Sequence, residues 1–141
     1  MKHFSDTIEV TTTSHLQFLD ITDRVKKAVA SSGIANGIVH VYSAHTTAAV
    51  KVNERCDRLQ KDMTVFLETL APQGGAYRHN DGTVDGRDNA HSHLRALMLG
   101  ASESLPLAAG VLTMGAWQSV FFVELDGPRE GRQVTITVMG E

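Results

Sequence analysis

The chain has 141 residues, the length of one domain able to bury roughly two-thirds of the surface its unfolded form exposes. Hydrophobic residues make up 42% and charged residues 21%, the balance of a globular chain rather than a disordered one. The formal net charge of −3 argues against a nucleic-acid surface, no run of about 18 apolar residues is present to span a bilayer, and the single cysteine, Cys56, excludes an internal disulfide.

The opening MKHFSDTIEV lacks the apolar stretch of a signal peptide, so a cytoplasmic setting is expected. Residues 7–13, TIEVTTT, read as a first strand because threonine and the β-branched residues favour extended backbone. In 20–33 the spacing of Ile21, Val25, Ala28 and Val29 predicts a helix capped by Asp20 and stopped by Gly33. After the turn at Asn36-Gly37, IVHVYSAH (38–45) and AAVKVNE (48–54) read as strands, the second with Lys51 and Asn53 on a wet face. Leu59, Met63, Phe66, Leu67 and Leu70 form the apolar stripe of a second helix that ends before Pro72.

From Pro72 to Asp88 no regular pattern appears, and a connection of that length in a compact domain is usually functional or disordered. NAHSHLRALMLG (89–100) predicts a third helix, capped by Asp88 or Asn89 and stopped by Gly100, with Ala90, Leu94, Leu97 and Met98 as its buried stripe. The remaining residues read as three strands, with Asp126-Gly127-Pro128 as the hairpin between the last two. Strands broken by isolated helices give a single α+β domain over 1–141, with about three helices and a mixed, mostly antiparallel sheet.

The stretch 74–93, GGAYRHNDGTVDGRDNAHSH, concentrates His79, His91 and His93 in a segment with little to build a core. Neutral imidazoles ligate zinc and similar metals, and three protein ligands with one open position is the catalytic arrangement. His40 and His45 are the other candidates, and strand alternation lets only one of them serve a given site. On the third helix His93 borders the expected apolar stripe, whereas His91 lies beside Arg95 and reads as a wetter bystander. Against the metal reading, a lone loop or helix histidine is usually solvated, and no HExxH or CxxC motif is present. Glu54 and Asp57, just after a strand, are candidate acid–base groups, although carboxylates there more often solvate or cap a helix start. Trp117 and Gln118 are candidate substrate contacts, with core packing as the plainer role for Trp117. Arg129 or Arg132, in DGPREGR, offers a phosphate ligand or simply a charged turn.

Taken as an ordered set, HTTAAVKVNE (45–54), Tyr77 with His79, SHLRALMLGAS (92–102), SESLPLAAGVLTMGAWQSV (102–120) and ELDGPR (124–129) resemble the YjbQ family. Ala116 departs from that family's usual threonine. The resemblance implies an α+β fold, a homotrimer, and a metal site whose matching ligands are His45, His79 and His93. It also implies a secondary thiamine-phosphate synthase activity, which joins a pyrimidine-methyl pyrophosphate to a thiazole phosphate and releases pyrophosphate. Magnesium is the ion expected for that leaving group, whereas three histidines suit zinc or another transition metal. Three readings follow: an enzyme acting on a small phosphorylated substrate; a metal-water hydrolase with Glu54 or Asp57 as base; and a non-catalytic, ligand-binding trimer. For the trimer, Val50, Val52, Val120, Phe122 and the Val134–Val138 strand offer more apolar sheet surface than three short helices readily cover.

Overall fold

The computed structural model describes all 141 residues. In chain order the elements are β1 (Lys2–Val10), β2 (Gln17–Asp20), α1 (Thr22–Ser32), β3 (Gly37–Tyr42), β4 (Ala48–Glu54), α2 (Asp57–Leu70), a 3₁₀ turn at Arg78–Asn80, α3 (Ala90–Leu99), β5 (Ser102–Ala108), β6 (Val111–Leu112), β7 (Gln118–Glu124) and β8 (Arg132–Gly140). The class is α+β, as its residues predict, and all the strand pairs are antiparallel.

Two sheets form rather than one. The first runs β1-β8-β3-β5-β6 and the second β2-β7-β4. Their facing surfaces make the main core, where Val39, Val41, Val134, Ile136 and Val138 meet Val50, Val120 and Phe122, with Val25, Ala28 and Val29 of α1 packed in. The apolar sheet residues that motivated a trimer are therefore largely buried within one chain. Sheet-on-sheet packing covers what the helices do not.

β7 shows why its run SVFFVEL has no polar face. Val120 and Phe122 point into the main core, while Phe121 and Val123 join Ala49, Leu67 and Leu125 in a second core beneath the α2/α3 side. A strand buried on both faces reads as a continuous apolar run.

Asp126-Gly127-Pro128 does not make a hairpin, because β7 and β8 lie in different sheets. The segment is a crossover from the second sheet to the first. Residues 43–47, between β3 and β4, cross the other way. Both crossovers leave the same end of the sandwich, since Ala48 at the start of β4 pairs with Glu124 at the end of β7. That end carries the site.

The third helix buries a different face from the one its apolar spacing predicts. Leu94, Leu97 and Met98 are exposed, and Ala90, His91, Ser92 and Arg95 are buried. Specific polar bonds decide the orientation: Ser92 Oγ donates to the Leu125 carbonyl at 2.5 Å, and Arg95 donates through Nε and Nη2 to the Ala71 carbonyl at the end of α2. Trp117, expected in the core, is 76% exposed. No helix is long and apolar enough to cross a membrane.

Candidate functional site

Where the crossovers meet the start of α3, a cleft of about 460 Å³ opens, and His45, His79, His93 and Arg129 all line it, with Thr46, Thr47, Asp85, Asn89 and Arg132 among its other walls. Each functional side chain is brought by a different piece of local structure. His45 sits in the 43–47 crossover, beyond the end of β3, so strand alternation does not govern its direction. His40 remains on β3, bonded to Ser104 Oγ at 2.9 Å, outside the cleft. His79 is carried by the long loop, which is tied to α3 because Ala90 N–H donates to Asn80 Oδ1 at 3.1 Å. The imidazoles of His79 and His93 consequently meet edge to face, 4.8 Å between ring centres.

Arg129 is fixed from two sides. Its backbone N–H donates to Thr12 Oγ1 at 2.8 Å, and its guanidinium donates to the Asp126 carbonyl at 3.1 Å and to Asp126 Oδ2 at 2.7 Å. Gly127 makes this possible: any β-carbon there would stand 2.1 Å from the Ser14 carbonyl oxygen, so only glycine lets the two segments close. The Asp126 carboxyl is held below its usual range: burial pushes it up, but hydrogen bonds from Asn89 and Arg129 outweigh that.

Behind the cleft lies a fully buried ion pair. Arg132 donates through Nε to Glu124 Oε2 at 2.9 Å and through Nη2 to Thr47 Oγ1 at 2.9 Å, so it braces both crossovers at once. Burial lowers the His45 pKa, and the nearby Arg132 charge lowers it further, so the imidazole is neutral at neutral pH. Its Nε2 accepts the Gln133 backbone N–H at 2.9 Å, which places its proton on Nδ1.

As placed, no three His, Cys, Asp or Glu side chains stand close enough together to grip one ion. The donor chemistry nevertheless fits a borderline divalent metal, with three imidazoles on one cleft and His45 held neutral. The obstacle is particular. His45 Nε2 cannot accept from Gln133 and coordinate an ion together, so metal binding requires that this bond be released.

The other predicted site residues lie elsewhere. Glu54 ends β4 opposite Gln118, six residues along from Ala48 and about 20 Å from the histidine end of the sheet. Asp57 lines a separate cleft with Leu16 and Phe18, and the exposed Trp117 precedes Gln118 at the far end. Within one chain, Glu54, Asp57, Trp117 and Gln118 do not reach the histidines. The β4–β7 pairing, not sequence proximity, sets that separation.

His91 is not a wet bystander. It is fully buried and its Nε2 lies 2.7 Å from His15 Nε2. His15 Nδ1 faces the Gly127 carbonyl at 3.3 Å and donates there; in the tautomer with both rings neutral, His15 Nε2 is the acceptor and His91 Nε2–H the donor. That leaves His91 Nδ1 as a bare, unpartnered lone pair, and burial, followed by the Arg95 charge, pushes the His91 pKa down to about 4. His15 and the pairing of Glu124 with Arg132 were not anticipated, and Asp126 and Asn89 were read only as a turn residue and a helix cap. One signal was available: Arg132 shares strand parity with Val134, Ile136 and Val138, and Glu124 with Val120 and Phe122, so both charges had to be buried and paired.

The family described as UPF0047 protein YjbQ-like matches residues 6–141. A UPF0047 protein from Methanothermobacter thermautotrophicus is 40% identical over 141 residues, covering all of this chain and 95% of the relative. The Bacillus subtilis UPF0047 protein YugU is 33% identical, covering 95% of this chain and 98% of its own. Among solved structures, a protein of unknown function from Sulfolobus solfataricus P2 superposes with a TM-score of 0.94 at 41% identity, covering 99% of each chain.

Proposed function

The chain belongs to the YjbQ-like UPF0047 family, and from the chemistry of its cleft we infer a metal-dependent enzyme that acts on a small phosphorylated substrate. One observation carries this: His45, His79, His93 and Arg129, spread over 85 positions of sequence, line a single cleft. His45, His79 and His93 would hold a divalent metal, zinc or another transition metal being favoured by imidazole donors. A bound ion would supply Lewis-acid stabilisation of charge on phosphate oxygens.

The chain's own residues account for the rest. Arg129 has one edge committed to Asp126, and its remaining N–H groups are available to a phosphate. Asp126 thereby orients Arg129, and Arg132 is occupied by Glu124 rather than by substrate. Thiamine-phosphate synthesis is the best-named reaction of this class. In it a ring nitrogen forms a bond to the pyrimidine methylene as the C–O bond breaks, and the electron pair leaves on pyrophosphate.

The hydrolytic alternative has lost Glu54 and Asp57 as nearby bases, and Asp85 is the carboxylate that lines the cleft instead. A homotrimer belongs to the same proposal, supported now by the exposed Val65 and Phe66 of α2 and Leu97 and Met98 of α3. Incubating zinc- or magnesium-supplemented protein with the two thiamine precursors tests the activity. Pyrophosphate release that disappears in His93→Ala is expected; none from wild type under either metal would overturn the synthase reading.

A further inference from the structure

Residues 11–16, the link between β1 and β2, run alongside the 126–129 crossover and are bonded to it at two levels. At the first level the Thr12 N–H donates to the Arg129 carbonyl at 2.8 Å, and the Arg129 N–H donates to Thr12 Oγ1 at 2.8 Å. At the second, two residues before Arg129, His15 takes hold of Gly127 with both backbone and ring. The Gly127 N–H donates to the His15 carbonyl at 3.0 Å, and His15 Nδ1 donates to the Gly127 carbonyl at 3.3 Å. No helix or strand includes residues 125–131, so bonds of this kind, rather than a ladder, fix the backbone there. The ring is also held from behind, its Nε2 lying 2.7 Å from Nε2 of the fully buried His91 on α3, the helix that carries His93.

The Gly127 carbonyl belongs to the peptide plane that leads through Pro128, with its fixed φ, into Arg129. Tilting that plane turns the Arg129 backbone, and with it the guanidinium at the cleft wall. We propose that His15 is a positioning residue for the cleft: braced by His91, it fixes the Gly127 carbonyl and so aims Arg129 at a bound phosphate. This role rests on the phosphate reading of the cleft and adds what holds its arginine in place.

Two substitutions separate the ring nitrogens. Asparagine places an N–H near the Nδ1 position but is too short to reach His91, whereas glutamine reaches His91 and leaves Gly127 without a donor. Calorimetric titration of zinc-loaded, dialysed protein with inorganic phosphate tests the difference. His15→Asn should bind phosphate nearly as wild type does, and His15→Gln should bind it about 2–10-fold more weakly, the range of one net hydrogen bond. In an Arg129→Ala background His15→Gln should cost nothing further, because it acts through that side chain. Zinc content should be the same in every variant.

The reverse order, with His15→Gln binding better than His15→Asn, would mean that the ring only supports His91, and would overturn the role. Equal affinities of the two variants, or a loss that persists without Arg129 or follows lost zinc, would overturn it too. If wild type binds no phosphate, the phosphate reading fails, and the nuclear magnetic resonance signal of Arg129 Nε–H then decides the positioning. That proton donates to the Asp126 carbonyl, so it should exchange slowly with solvent in wild type and His15→Asn, and several-fold faster in His15→Gln. Equal exchange in all three proteins would overturn the role of His15.

Discussion

His91 is buried to 0% exposure, bonded to His15, and separated by a single residue from the half-buried His93 that lines the cleft. Burial and bonding give the two residues different expected costs. His91→Ala removes a hydrogen bond and leaves a cavity among Arg95, Asp126 and His15, and should cost about 2–3 kcal/mol. Thermal unfolding checks this; an unchanged midpoint would contradict the buried role. Arg129→Lys keeps charge but loses the planar fork that reaches the Asp126 backbone carbonyl and its Oδ2 together. It should raise KM for a phosphorylated substrate several-fold with metal content unchanged, and equal kinetics would remove Arg129 from the site.

At the scale of elements, the two crossovers are locked by the Glu124–Arg132 pair. Burial pushes the Glu124 carboxyl up, but its bonds from Arg132, the Asp126 backbone and Thr12 hold it below the usual carboxylate range. The unfolded chain therefore binds a proton there that the folded chain does not, so this stabilisation is present above the unfolded pKa and is lost as pH falls through the folded one. Glu124→Gln should cost about 3–5 kcal/mol at pH 7, since it strands a buried guanidinium, and should flatten the acid limb of the stability curve. Denaturant titrations at pH 7 and pH 4 measure both; equal losses at the two pH values would exclude the linkage.

Most elements were legible from spacing and stop signals: α1, α2, α3, β4 and the alternating β8 stand close to where their residues put them. β2 escaped because QFLD is too short to show a period. The face of α3 escaped for another reason. Apolar spacing selected Leu94, Leu97 and Met98, but bonds from Ser92 and Arg95 to distant carbonyls set the packing, and such partners are invisible to a one-dimensional pattern. The division of strands between two sheets was likewise hidden, because a turn motif such as Asp126-Gly127-Pro128 reads the same in a hairpin and in a crossover. Of the site, His45, His79 and His93 followed from the family resemblance and share a cleft with Arg129. The residue reading left His40 or His45 and Arg129 or Arg132 open, and favoured His93 through an apolar stripe that proves exposed. Glu54, Asp57, Trp117 and Gln118 lie apart from the cleft.

For the whole molecule, burial of the sheet residues moves any subunit contact to the helices and the sandwich ends. Phe66 at 64%, Leu97 at 78%, Met98 at 65% and Trp117 at 76% exposure are among the large apolar groups left for it, with Val65 beside Phe66. Light scattering at micromolar concentration should give about three times the 15.3 kDa chain mass, and a monomer throughout would contradict the trimer. The central claim is that His45, His79 and His93 hold one metal ion, with His45 exchanging its Gln133 bond for it. Elemental analysis after zinc loading and exhaustive dialysis, on wild type and four folded single alanine variants, tests it most directly. Wild type and His91→Ala should retain about one zinc per chain, while His45→Ala, His79→Ala and His93→Ala each lose affinity by at least 10–100-fold. Undiminished zinc in all three of those variants, or none in wild type, would contradict the account.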